Sequence, residues 1–263
     1  MPYSNSNGVQ IWYETKGDGP ALVLIHANPF DHDLWLYQAA HFSTWFKVVG
    51  IDIRGYGRSV KMTTPFTLTD MCADVLGVMK DLRIQRAIAM GCSVGSGITL
   101  GLGLDHPDRF DAIVLVGGNS AASDRYQRRI DGYRANLGDY HIKHLRELVA
   151  PGFPDTRLGR HLLNMWVERE PRLSGEAIAQ VFTAGNSRSW TSRLPEMKVP
   201  TLVINGEFDH SLPAGKLTAS RIPGAVHKIL PGTGHACCIE DPAGFDKLVI
   251  DFLRTRGLMP ELS

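Results

Sequence analysis

No stretch of this chain approaches the roughly 20 consecutive apolar residues that a membrane-spanning helix requires, so a transmembrane reading is excluded. The opening residues, Met1-Pro2-Tyr3-Ser4-Asn5-Ser6-Asn7, lack both the basic and the apolar region of a secretory leader, and a cytoplasmic location is expected. An excess of either charge is missing too: 28 Lys and Arg against 27 Asp and Glu leave a net charge of +1. The pair Arg128-Arg129 is too short for a polybasic patch and reads as a solvated helix face. Neither nucleic acid nor a membrane surface is expected as a partner. Cysteine is scarce: Cys72, Cys92, Cys237 and Cys238 show neither a disulfide framework nor zinc spacing. The adjacent Cys237 and Cys238 should pack as small apolar groups. Repeats, low-complexity tracts and long linkers are absent as well. What is there is ordinary globular material: 263 residues, 43% hydrophobic and 21% charged, enough for one large α/β domain or two smaller ones.

Apolar runs at 9–13, 22–25, 46–51, 87–90, 113–116, 202–204 and 226–229 read as strands. They alternate with helical patterns near 34–42, 69–82, 94–104, 213–221 and 242–254. Such alternation implies a mostly parallel sheet with helices on both faces. The rhythm breaks over residues 120–194, which are polar, rich in Arg and Leu, and interrupted at Pro151-Gly152, Pro154 and Pro171. That segment is expected to be a helical cap inserted into a core made of residues 1–119 and 195–263. Met165, Trp166, Phe182 and Trp190 are its candidates for lining a pocket, although packing among cap helices accounts for any one of them.

The chemistry concentrates at Gly91-Cys92-Ser93-Val94-Gly95, between the 87–90 run and a segment of small residues. A serine at the apex of a sharp strand-to-helix turn is held in a strained conformation, with its hydroxyl clear of the sheet. Small residues two positions to either side let strand and helix approach closely. A serine hydroxyl needs a base, and the base needs an orienting acid. In this architecture the chain order is serine, acid, histidine. Asp209 follows the strand run and glycine turn ending at Gly206, with Glu207 as its rival at the same strand end. His235 lies in the glycine-rich loop Leu230-Pro231-Gly232-Thr233-Gly234. All three follow predicted strands, and carboxyl ends of parallel strands share one edge.

Of the other nine histidines, His26 and His227 sit in or beside apolar runs and look structural. His210 should point away if Asp209 orients His235. His141 and His144, spaced three apart on a helical segment without further ligands, read as a solvated face rather than a metal site. Cys92 adjoins the serine, but moving the turn onto it loses the glycine spacing. An oxyanion hole needs preorganised N–H donors. Val94, the residue after the serine and first in the next helix, supplies one candidate, and Asn28 in the loop His26-Ala27-Asn28-Pro29 supplies the other.

Together these motifs resemble the α/β-hydrolase superfamily over nearly the whole chain. Asp52-Ile53-Arg54-Gly55-Tyr56-Gly57-Arg58-Ser59 is similar to that family's D-x-R-G-x-G-x-S turn, and His106-Pro107-Asp108-Arg109-Phe110 is equally familiar. The His26–Pro29 loop is similar to the family's H-G-x-P, with Ala27 where glycine is usual. Length and motif order are most like small bacterial esterases and lactonases such as 3-oxoadipate enol-lactonase. The resemblance implies a doubly wound, mostly parallel sheet of the eight-stranded type (α/β-hydrolase fold) with an inserted helical cap. It further implies an acyl-enzyme mechanism on a small-molecule ester or lactone, with Ser93, Asp209 and His235 catalytic and Asn28 and Val94 at the oxyanion hole. No metal or organic cofactor is called for, and the chain is expected to be a monomer or homodimer. Haloalkane dehalogenases and epoxide hydrolases share the scaffold but use a carboxylate nucleophile, which Ser93 is not. A carbon–carbon bond hydrolase uses the same triad, and perhydrolysis has no distinguishing residue. A triad-bearing small-molecule receptor would turn over more slowly than about once per minute, far below ordinary enzymes.

Overall fold

The computed structural model describes residues 2–5, 7–118, 120–121, 123 and 125–261. Met1 and Ser6 of the N-terminal segment read above lie outside the described residues, as do Asn119 at the expected edge of the core, Ala122 and Asp124 in the expected cap, and Leu262 and Ser263.

Eight strands form one sheet: β1 (Tyr3–Ser4), β2 (Ile11–Lys16), β3 (Ala21–Ile25), β4 (Lys47–Ile51), β5 (Ala87–Cys92), β6 (Phe110–Val116), β7 (Thr201–Gly206) and β8 (Val226–Leu230). Their spatial order is β1-β2-β4-β3-β5-β6-β7-β8. The β1–β2 and β2–β4 pairs are antiparallel, and every pair from β4 to β8 is parallel. β3, β5 and β7 are buried along their whole length. Strands covered on both faces read as continuous apolar runs, which is why they stood out in the sequence. β2 differs from expectation, starting at Ile11 and continuing through the polar Glu14-Thr15-Lys16. Its extent is set by pairing with β4, where Tyr13 to Lys16 lie opposite Ile51 to Val48, rather than by hydrophobicity.

Strand alternation divides the core in two. Val23 and Ile25 face a cluster containing Met71, Val75, Ile98 and Leu102 of α2 (Leu68–Asp81) and α3 (Val94–Asp105). Leu22 and Leu24 face the opposite cluster, with Phe42 of α1 (Leu36–Phe42) and Phe245 and Val249 of α10 (Pro242–Thr255). α2 begins at a capping box in which Thr67 and Asp70 each receive the other's backbone N–H.

Between β6 and β7 the described residues contain no strand. They form α4 (Arg125–Ala135), α5 (Leu137–Glu147), α6 (Arg157–Val167) and α7 (Gly175–Asn186). α8 (Leu212–Arg221) then follows β7, and a short α9 (Cys237–Glu240) follows the loop that carries His235. Cys237 and Cys238 are fully buried against the second cluster.

Candidate active site

Ser93 sits where β5 becomes α3, with φ 54° and ψ −113°. This region is strained for any residue with a side chain. Its N–H is anchored to Val116 O at 2.8 Å, still in register with β6. The flanking glycines are sterically compelled. A Cβ on Gly91 would lie 2.1 Å from Gly95 O, and one on Gly95 would lie 2.2 Å from Ile25 O. Val94 is the first residue of α3, so the helical ladder offers its N–H no acceptor. Asn28 is buried in the loop after β3, with its Oδ1 unpartnered among the described residues.

Asp209 lies in the turn after β7 and is almost fully buried. Its carboxylate accepts from Asn205 Nδ2, Ser211 N and Ser211 Oγ, each at 2.8 Å, and from His235 Nδ1 at 2.7 Å. Burial opposes the charge, but His235 and these donors outweigh it and hold the carboxyl well below the ordinary range. An ionised Asp209 only accepts, so His235 carries its proton on Nδ1 and its Nε2 is left with a lone pair. Glu207 instead accepts Gly232 N at 2.9 Å and faces solvent.

Ser93, His235 and Asn28 line one cavity of about 320 Å³. Among the described residues the Ser93 hydroxyl makes no hydrogen bond, so it meets the His235 ring through shared cavity space rather than through a bond. Gly117, at φ 57° beyond β6, makes room for the histidine: a Cβ there would lie 2.7 Å from His235 Nδ1 and 3.3 Å from Asp209 Oδ2. Gly117 was not singled out from the sequence, although a glycine pair directly after a buried strand was the available signal. The histidine loop is also tied to the helical segment between β6 and β7. Ala236 N donates to Leu148 O at 2.8 Å, and Glu240 accepts Gly234 N at 2.8 Å and Ala150 N at 2.7 Å.

Several histidine expectations are corrected. His141 and His144 are buried, not solvated. With Leu145 and Leu148 they occupy the buried stripe of α5 and its continuation, so the three-residue spacing marks a packed helix face. Burial pushes His141 down to about 4. His210 does not turn away but stacks on His235, with ring centroids 4.5 Å apart. His26 is structural: its Nε2 accepts Ile53 N at 3.0 Å. Arg129 is not simply solvated, since it pairs with Glu147 at 2.7 Å and lines the cavity with Arg125. Of the aromatic candidates, Phe182 lines this cavity, whereas Trp166 donates to Asp31 at 3.1 Å beside a separate pocket and Trp190 packs in the core. Cys92 is sealed beneath the site. Among the described residues, Asp209, His210 and His235 form one group of potential metal ligands within 4.8 Å of one another. The protonated Nδ1 of His235 and its carboxylate partner are committed to each other, which makes this a poor cation cradle.

An eight-stranded sheet with a buried acid–histidine pair and a serine at the strand-to-helix turn defines an α/β hydrolase. The chain belongs to the alpha/beta hydrolase fold family, whose model matches residues 20–242. It is similar to the enol-lactonase from Burkholderia xenovorans LB400, with 28% identity, a TM-score of 0.89, and coverage of 96% of this chain and 100% of that one. It is also similar to the 2-hydroxy-6-oxononadienedioate/2-hydroxy-6-oxononatrienedioate hydrolase of Paraburkholderia phymatum, 26% identical over 93% of this chain and 91% of that protein. The non-heme haloperoxidase of Rhodococcus erythropolis is 23% identical over 97% and 100%, respectively.

Proposed function

We propose that the protein is a serine hydrolase that cleaves a carboxylic ester or lactone of a small molecule through an acyl-enzyme. The observation carrying this reading is the 2.7 Å bond from His235 Nδ1 to the buried Asp209 carboxylate, on a ring that shares its cavity with the strained Ser93. His235 Nε2 takes the serine proton as Ser93 attacks the carbonyl carbon, and Asp209 holds the tautomer and stabilises the imidazolium. The Val94 and Asn28 amides receive the oxyanion. His235 then protonates the leaving alcohol, and water activated by the same Nε2 releases the acid. Bound substrate brings hydroxyl and ring together, since such hydrogen bonds commonly tighten in the complex.

Residues 120–194 serve as the cap in this reading, with Arg125, Arg129, His144 and Phe182 supplying one side of the cavity. A volume of about 320 Å³ suits a small molecule. Among the described lining residues there are two guanidinium groups and no carboxylate, which favours neutral or anionic substrates over cationic ones. The likeness to the oxononadienedioate hydrolase supports a second reading, carbon–carbon bond hydrolysis by the same residues. A screen of p-nitrophenyl esters of graded length, lactones and enol-lactones, with product identification, tests both. The ester reading predicts acid and alcohol products, with a loss of about 10³-fold or more in Ser93→Ala. Release of an enol ketone would favour the second reading, and near-normal turnover in Ser93→Ala would refute both.

A further inference from the structure

His144 projects from α5 into the aromatic surroundings of Tyr133, Tyr140 and Phe182, with ring centroids 5.7, 6.4 and 5.8 Å away. It lines the cavity that contains Ser93, yet the proposed chemistry gives it nothing to do. Its Nδ1 meets Tyr133 Oη at 2.7 Å. Two proton arrangements fit that contact. If Nδ1–H donated to the phenol, the Tyr133 hydroxyl proton would have to find another acceptor, and the buried phenol has no other partner among the described residues. Leaving that donor unmade is unfavourable, so the phenol donates and Nδ1 accepts. The proton of the neutral ring is then on Nε2. Among the described residues that nitrogen has no partner, and it is not sealed from solvent as the ring nitrogens of His141 are, so it opens onto the cavity.

We infer that His144 is a specificity-determining residue whose Nε2–H, oriented by Tyr133, donates to an acceptor oxygen on the substrate remote from the scissile carbonyl. Substrates of this site therefore carry a second oxygen function, such as a ketone or carboxylate, within reach of α5. Burial and the nearby Arg129 charge keep the ring neutral, so it acts as a hydrogen-bond donor rather than as a cation. Tyr133 is a positioning residue acting through His144. This inference rests on the serine-hydrolase reading, because it assigns Ser93's cavity to the substrate.

The test compares p-nitrophenyl hexanoate with its 4-oxo and 5-oxo analogues, which match it in length and charge. Wild type should prefer one oxo ester by about tenfold in kcat/KM, expressed mainly in KM, as one added hydrogen bond implies. The preference should fall to about one in His144→Phe, be retained mostly in His144→Gln, which keeps a donor at the same place, and drop a few-fold in Tyr133→Phe. Long-range nitrogen–proton NMR of the histidine rings should show His144 as the Nε2–H tautomer, a readout that needs no variant. Ser93-dependent hydrolysis without any oxo preference, a preference that survives His144→Phe, or an Nδ1–H tautomer would each overturn the inference and leave the hydrolase reading intact. Hexanoate hydrolysis that persists in Ser93→Ala would overturn that reading and the inference together.

Discussion

Glu240 fastens the histidine loop to the helical segment between β6 and β7, and it does so at an electrostatic disadvantage. Its two oxygens accept Gly234 N and Ala150 N at 2.8 and 2.7 Å. Burial raises its pKa from 4.5 to about 7, against the opposing pull of those amides and His235. The folded chain therefore keeps a proton that the unfolded chain has released across this window. Stability from this group is fully present below about pH 4.5 and is lost as pH rises through about 7. At about 1.4 kcal/mol per pH unit, the displacement corresponds to on the order of 3 kcal/mol. Glu240→Gln has no proton to lose, and its amide nitrogen cannot accept one of the two N–H groups. The variant should be less stable than wild type in acid, with a gap that closes as pH rises. Urea unfolding of both proteins at pH 4 and pH 8 cancels the groups they share. We expect the wild-type advantage to shrink by on the order of 3 kcal/mol between the two conditions. A gap that is constant, or that widens with pH, refutes the burial account of this carboxyl.

Three further outcomes follow from packing. His141 is buried, and burial outweighs the nearby Pro29 backbone carbonyl to hold it at about 4, so the unfolded chain binds a proton there that the folded chain refuses. That contribution is present above pH 6.5 and lost as pH falls toward 4; His141→Leu should gain on wild type by on the order of 2–3 kcal/mol between pH 7 and pH 4, and an unchanged difference in urea unfolding would contradict this. Gly95→Ala forces a methyl to within 2.2 Å of Ile25 O, and thermal melts should show a loss of about 3 kcal/mol or more, whereas an unaltered Tm would mean the turn can open. All four cysteines are free and buried, so a disulfide exchange reagent should titrate none in the native protein and all of them in urea; any fast native equivalent would be inconsistent with that burial.

What the sequence makes legible here depends on how local the cause is. The central strands announce themselves because burial on both faces demands continuous apolar residues, and the turn at Ser93 does so because backbone crowding demands Gly91 and Gly95. The position of β2 is less visible, since its polar half is held by cross-strand pairing with β4. The histidines show the same limit. Spacing alone cannot tell a solvated His141 and His144 from a buried stripe, because the deciding neighbours, such as Tyr133 and Phe182 around His144, come from other helices. Likewise His210 stacks on a ring that lies 25 residues further along the chain, and Glu240 is raised by a fold context that no nearby residue signals.

Serine hydrolysis in this protein requires an activated hydroxyl on Ser93. Treatment of the folded protein with an alkyl fluorophosphonate, followed by peptide mass mapping, tests this most directly. We expect a single adduct on the peptide containing Ser93, absent from Ser93→Ala and much slower to form in His235→Ala. No adduct on the folded protein, or an adduct on a different residue, would contradict it.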